Sequence, residues 1–184
     1  SDIPMLHVAS WYDPYCGSMF DNYTGLSLRK RSPQRLLVGP WTHGGNGRSY
    51  AGDVEFGAEA AISDFHREFH LRWFDRYLRN PSADLKADEK TVRLFVMGTG
   101  DGHRNEEGKL FHGGYWRHAT EWPLLDTEWQ QFYLHSDGAL RTDVPKEDDA
   151  PSTYTFDPEN PVPTMGGAFS SSGPVFDPGA YHQA

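Results

Sequence analysis

Two residues in this chain have types and settings that could do chemistry together: an aspartate at position 13 and a histidine at position 43. Each closes a short apolar run. Ile3 to Ser10 leads into Trp11-Tyr12-Asp13-Pro14, and Leu36-Leu37-Val38-Gly39-Pro40-Trp41-Thr42 leads into His43-Gly44-Gly45. Runs of this kind, bounded by turn residues, suit buried parallel strands. Open α/β sheets keep their reactive groups just past the carboxyl ends of such strands. An aspartate held against one imidazole nitrogen fixes the tautomer and stabilises the imidazolium. The other nitrogen is then able to take a proton from a serine hydroxyl. Acid then base, in that chain order, matches the last two members of a Ser…Asp…His hydrolase. The ordinary alternatives are a turn aspartate before proline and a satisfied loop histidine. It is the joint placement at two strand tips that favours chemistry. No Gly-x-Ser-x-Gly turn occurs, and Cys16-Gly17-Ser18 and Ser170-Ser171-Ser172-Gly173 have the wrong surroundings for one. Trp11 and Trp41, beside the strand tips, are the candidates for substrate contact.

The elements that must position this pair are legible in the same way. Pro14 suits the first turn of a helix, and Met19, Phe20, Tyr23 and Leu26 continue it at helical spacing. Leu28 to Arg35 is a basic surface connection, and Gly44 to Gly57 is a glycine-rich loop beside the histidine. From Ala58 to Arg79 the apolar period is helical: Ile62, Phe65, Phe69, Trp73 and Tyr77 predict one long helix that Asn80-Pro81 stops. A polar connection, Ser82 to Lys90, follows. Beyond it the pattern is β, with strands expected at Val92–Met97, Trp129–Leu134 and Thr153–Phe156. The expected organisation is therefore an α/β part over residues 1–84 and an all-β sandwich or jelly roll over residues 85–184. From Asn160 onward the chain is rich in Gly, Pro and Ser and does not supply the remaining strands of a sandwich.

Composition narrows the partners. The 184 residues carry a net charge of −9 and the pI is about 5.4, which argues against nucleic acid or an anionic membrane surface. No apolar run reaches the ~20 residues of a membrane span, and the N-terminus has no signal-peptide pattern. The compartment stays open, with the cytoplasm favoured. A single cysteine, Cys16, excludes an internal disulfide framework. His66 and His70 share a helix face, but Glu68 between them gives neither zincin order and no third ligand is marked, so they read as a surface pair. Glu147-Asp148-Asp149 lacks the spacing of a calcium loop. His103, His112 and His118 show no ligand spacing, and neither a metal nor a cofactor is called for.

The ordered set Ile3-Pro4-Met5-Leu6-His7-Val8…Trp11-Tyr12-Asp13, Leu37-Val38-Gly39-Pro40-Trp41-Thr42-His43-Gly44, Trp73-Phe74-Asp75-Arg76-Tyr77-Leu78 and Val92-Arg93-Leu94-Phe95-Val96-Met97-Gly98 resembles the cocaine-esterase / X-Pro dipeptidyl-peptidase-type hydrolases. Trp116-Arg117…Glu121-Trp122-Pro123 and Asn160-Pro161-Val162-Pro163-Thr164-Met165-Gly166-Gly167 continue it in order. The resemblance implies an α/β-hydrolase domain with a cap, then a C-terminal jelly roll. It matches Asp13 to the triad acid and His43 to the triad base. It also implies that the nucleophile elbow, oxyanion hole and cap lie upstream, so that this segment alone is inactive and works with the rest of its hydrolase chain. The implied substrates are small esters or short peptides cleaved at X-Pro or α-aminoacyl bonds, and a homo-oligomer is compatible with this. The competing reading is a binding protein, in which the β part captures a ligand and the α/β part is scaffold.

Overall fold

The apolar runs at residues 5–12 and 34–42 form neighbouring parallel strands. The structure is a computed structural model and describes residues 2–79, 91–146, 150–170 and 177–182. In chain order the first elements are β1 (Met5–Tyr12), α1 (Cys16–Ser27), β2 (Gln34–Thr42) and the two-residue strands β3 (Tyr50–Ala51) and β4 (Val54–Glu55). A 3-10 turn at Ala58–Ala60 and a helix over 66–79 follow, then β5 (Val92–Met97), β6 (Leu110–Phe111), β7 (Gly114–Ala119), β8 (Tyr133–Leu134) and β9 (Leu140–Arg141). The chain divides into two units, Ser1–Leu124 with Met165–Ala184, and Leu125–Thr164.

The first unit is built on a four-stranded mixed sheet in the order β1-β2-β5-β7. The first three strands run parallel, and β7 returns antiparallel along β5. Because side chains alternate along a strand, β2 buries both faces. Leu36 and Val38 pack with Val92, Leu94 and Tyr23 of α1. Leu37 and Trp41 pack on the opposite side with Ile62 and Phe65. Leu36, Leu37 and Val38 are at most 1% exposed. Burying one such side chain contributes about 1.5–3 kcal/mol, so β2 is the anchor of the unit.

The ladder between β1 and β2 has one irregularity near its carboxyl end. Ser10 pairs with Gly39, but Tyr12 pairs with Thr42, so β2 has one residue more than β1 in this interval. The extra residue falls at Pro40-Trp41. A proline lacks the N–H that a regular ladder requires, and a bulge is where a strand tolerates one. Gly39 is needed beside it: a Cβ there would lie 2.3 Å from the Trp41 ring.

Besides β3 and β4 within the expected loop at 44–57, and the unexpected strands β6, β7 and β9, the structure departs from the sequence-based expectation in three places. The long helix expected from Ala58 is interrupted. Only Ala58–Ala60 forms a 3-10 turn, Ala61 is extended, and the helix resumes at 66–79, with π-type stretches His66–Leu71 and Asp75–Arg79 around an α-helical Arg72–Phe74. The cause is tertiary. Trp116 Nε1 donates to the Glu59 carbonyl and Trp41 Nε1 to the Ala60 carbonyl, both at 2.7–2.8 Å. A continuous helix would need those acceptors for itself.

Second, Val92–Met97 does not open a separate all-β domain at residue 85. It is the third strand of the same sheet, parallel to β2, and the units divide after Leu124 instead. A period of two identifies a strand but not the sheet it joins. Third, of the expected strand at 129–134 only Tyr133–Leu134 is a strand, paired with β9, and 153–156 carries no regular structure. The helix stop at Asn80-Pro81, the connection 82–90 and the acidic run 147–149 lie outside the described residues.

Candidate active site

Asp13 follows the last residue of β1, and His43 the last residue of β2, both at the carboxyl ends of parallel strands. Tyr12 is paired with Thr42, so the next residue on each strand stands opposite the other. His43 Nδ1–H donates to Asp13 Oδ2 at 2.8 Å. The second carboxylate oxygen, Oδ1, accepts the Tyr15 backbone N–H, also at 2.8 Å. That bond closes a turn two residues long, of the kind aspartate side chains favour, and Cys16 N–H donates to the Asp13 carbonyl at the start of α1. Both carboxylate oxygens are therefore committed, and the side chain is 11% exposed.

His43 is differently placed. Its side chain is 47% exposed, so the ring is fixed at Nδ1 and open elsewhere. Gly44 takes a φ of 71°, a left-handed conformation that reverses the chain immediately after the histidine. The Gly45 N–H then donates to the Thr42 carbonyl at 2.9 Å. The Tyr15 ring stands edge-on to the imidazole, with centroids 5.5 Å apart. Tyr15 was not singled out from sequence. Its signal was the Asp-Pro-x pattern, in which the N–H two residues after an aspartate is the natural partner of its side chain. Tyr12, under the site, gives its hydroxyl to Met97 Sδ at 3.6 Å, and burial pushes its phenol above the usual tyrosine range.

Of Trp11 and Trp41, both expected to face a substrate, Trp41 is packed into the core and Trp11 is half-buried. Trp41 is 0% exposed, with its indole N–H spent on the Ala60 carbonyl. The Trp11 N–H donates to the Phe95 carbonyl at 2.7 Å, and its ring stacks on Phe20. A fully buried indole whose N–H already has a backbone acceptor, as in Trp41, has little left to offer a ligand. His7 is also structural: it is buried and its Nε2 is 3.0 Å from Gln34 Oε1. His103 is held by Asp101, two residues away on an exposed loop, and its ring stacks on Phe111. Among the described residues no group of three or more His, Cys, Asp or Glu side chains is placed to hold a metal, and no helix is long and apolar enough to cross a membrane.

An open imidazole oriented by a doubly held carboxylate is able to accept a proton at Nε2 and pass it on. No family model matches the chain. The chain is 34% identical over 175 residues to the cocaine esterase of Rhodococcus sp. (strain MB1 Bresler), a match covering 89% of this chain and 27% of the esterase. A crystal structure of an aminopeptidase from the marine sediment archaeon Thaumarchaeota archaeon shares the fold, with a TM-score of 0.59 at 21% identity. That overlap covers 87% of this chain and 24% of the aminopeptidase. A CocE/NonD family hydrolase from Staphylococcus aureus overlaps 78% of this chain and 21% of its own at 19% identity, with a TM-score of 0.47, too low to carry weight. The chain thus spans about a quarter of the length of the proteins it matches. By this sequence relationship, the chain belongs to the cocaine-esterase-type (CocE/NonD) hydrolase family.

Proposed function

We propose that this chain supplies the acid and the base of a serine hydrolase that cleaves acyl esters or X-Pro and α-aminoacyl bonds. Asp13 orients His43 and stabilises its protonated form. His43 Nε2 takes the proton from a serine hydroxyl and later returns it to the leaving group. The serine, its oxyanion-hole donors and the cap come from upstream sequence, and the 184 residues alone are inactive. The jelly roll expected over 85–184 would then begin with the second unit, Leu125–Thr164, rather than at residue 85. The observation that carries this reading is the 2.8 Å contact of His43 Nδ1 with Asp13 Oδ2 while the second oxygen is held by a backbone N–H.

The competing reading, a non-catalytic binding module, is favoured by the exposed aromatics of the second unit, Trp129 at 83% and Tyr154 at 91%. One experiment separates the two. The hydrolase containing this segment is assayed on a p-nitrophenyl ester and on an X-Pro p-nitroanilide, with His43→Ala beside it. Turnover of either substrate that disappears in the variant supports catalysis. Equal turnover with and without the imidazole favours the binding module.

A further inference from the structure

The proposed chemistry leaves one histidine pair unused. On the helix at 66–79, the Nδ1 atoms of His66 and His70 are 2.9 Å apart, with ring centroids separated by 5.0 Å. His66 is exposed and His70 half-buried. The buried Phe65 ring stands edge-on to His70 at 5.1 Å and limits where that imidazole can turn. Both histidines lie in the π-type stretch His66–Leu71, and π turns within helices recur at functional sites.

The separation is informative because metal–imidazole bonds are about 2.0–2.1 Å long. Two such bonds at a right angle place their nitrogens ~2.9 Å apart, whereas a tetrahedral angle needs ~3.4 Å. The pair therefore has the spacing of adjacent corners of a square or octahedron. With imidazole ligands, square-planar or tetragonal coordination belongs to copper(II) and nickel(II), whereas zinc takes the tetrahedral angle. We propose that His66 and His70 form a two-imidazole chelating site for a divalent late transition metal, copper(II) foremost. The lack of a third ligand and the central Glu68, which set the pair apart from a zincin centre, are no obstacle to a two-ligand chelate. Among the described residues no third histidine, cysteine or carboxylate joins them, so water completes the coordination.

Without metal, one ring N–H donates to the other ring nitrogen. When metal binds, that proton moves through solvent to Nε2 of the same ring. Both Nδ1 lone pairs then face the metal, and two neutral rings release no net proton.

The test is titration of the 184-residue chain with copper(II), nickel(II) and zinc(II), with glycine as competitor, followed by calorimetry and electron paramagnetic resonance. One equivalent of copper should bind through two equatorial imidazole nitrogens, with zinc weaker. His66→Ala and His70→Ala should each weaken that equivalent more than about tenfold, since either loss removes the chelate advantage. His103→Ala should leave it unchanged. His66→Gln, at the exposed position, provides a second variant should one alanine variant fail to give the parent circular dichroism spectrum. Copper binding that survives both alanine variants overturns the proposal. So does a site that prefers zinc, or the absence of any equivalent stronger than the glycine complex.

Discussion

Asp13 stands opposite His43 because β2 carries one more residue than β1 between the Ser10–Gly39 and Tyr12–Thr42 pairs. Without that extra residue at Pro40-Trp41, the aspartate would face Thr42 and the histidine would lie one position beyond it. Since successive side chains on a strand point to opposite faces, a shift of one would carry the imidazole to the wrong side of the sheet. The bulge is thus part of the site, and its three oddities, Gly39, Pro40 and the buried Trp41, belong to one local solution.

The Asp13–His43 contact makes a kinetic prediction for the complete hydrolase. Asp13→Asn should lower kcat by roughly 10⁴-fold with little change in fold, because an amide no longer fixes the imidazole tautomer. The 184-residue chain alone should hydrolyse an activated ester no faster than its own His43→Ala variant. Turnover by the isolated chain that a serine-directed reagent abolishes would mean the nucleophile lies within these residues.

Gly39 and Trp41 should behave as a coupled pair in stability measurements. Gly39→Ala places a methyl 2.3 Å from the indole ring, and overpacking of this kind costs about 1–3 kcal/mol. Trp41→Phe leaves the buried Ala60 carbonyl without its donor, a loss of about 1–3 kcal/mol. Combined, the two should cost less than their sum, since the smaller ring makes room for the methyl. Urea unfolding of the two single variants and the double variant measures this coupling. In the complete hydrolase Trp41→Phe should lower Tm and leave KM unchanged, the opposite of what a substrate-facing tryptophan would do.

Cys16 reports on the charge of its neighbour. Burial pushes its thiol up from the usual value, and the Asp13 carboxylate pushes it in the same direction. The thiolate is the reactive form. Iodoacetamide should therefore modify native Cys16 slowly at pH 8, and Asp13→Asn should speed the reaction. Equal rates in the two proteins would show that the aspartate's charge does not reach the thiol.

The hairpin of β8 and β9 should be acid-sensitive in a defined window. The Arg141 guanidinium, followed by the Ala139 backbone N–H, lowers the Asp137 carboxyl from 3.8 to about 2. Because the folded value is depressed, the contribution is fully present above pH 3.8 and is lost as the pH falls through about 2. Asp137 is an exposed side chain, so the effect is local rather than global. Carboxyl chemical shifts of Asp137 should titrate near 2, and Asp137→Asn should remove the dependence. A midpoint near the ordinary value would mean that Arg141 does not hold the carboxylate in solution.

By itself the sequence determined the three strands at 5–12, 34–42 and 92–97, and which two side chains stood at the tips of the first two. Apolar runs bounded by turn residues are local patterns, and the two-faced burial of β2 follows directly from its unbroken Leu36-Leu37-Val38. The pairing of Asp13 with His43 was legible for the same reason: both sit one residue past an apolar run, and parallel neighbours bring such tips together. What only the tertiary structure decided depends on contacts distant in sequence. The helical period from Ala58 gave way because Trp41 and Trp116 captured the Glu59 and Ala60 carbonyls from elsewhere in the chain. Val92–Met97 joined the α/β sheet because its ladder partner is β2, far earlier in the chain, and nothing in its own alternation names that partner. Trp11 and Trp41 sat beside the strand tips and were expected to face a substrate. Which way each indole turned was set by the backbone acceptors the fold supplied, Phe95 and Ala60.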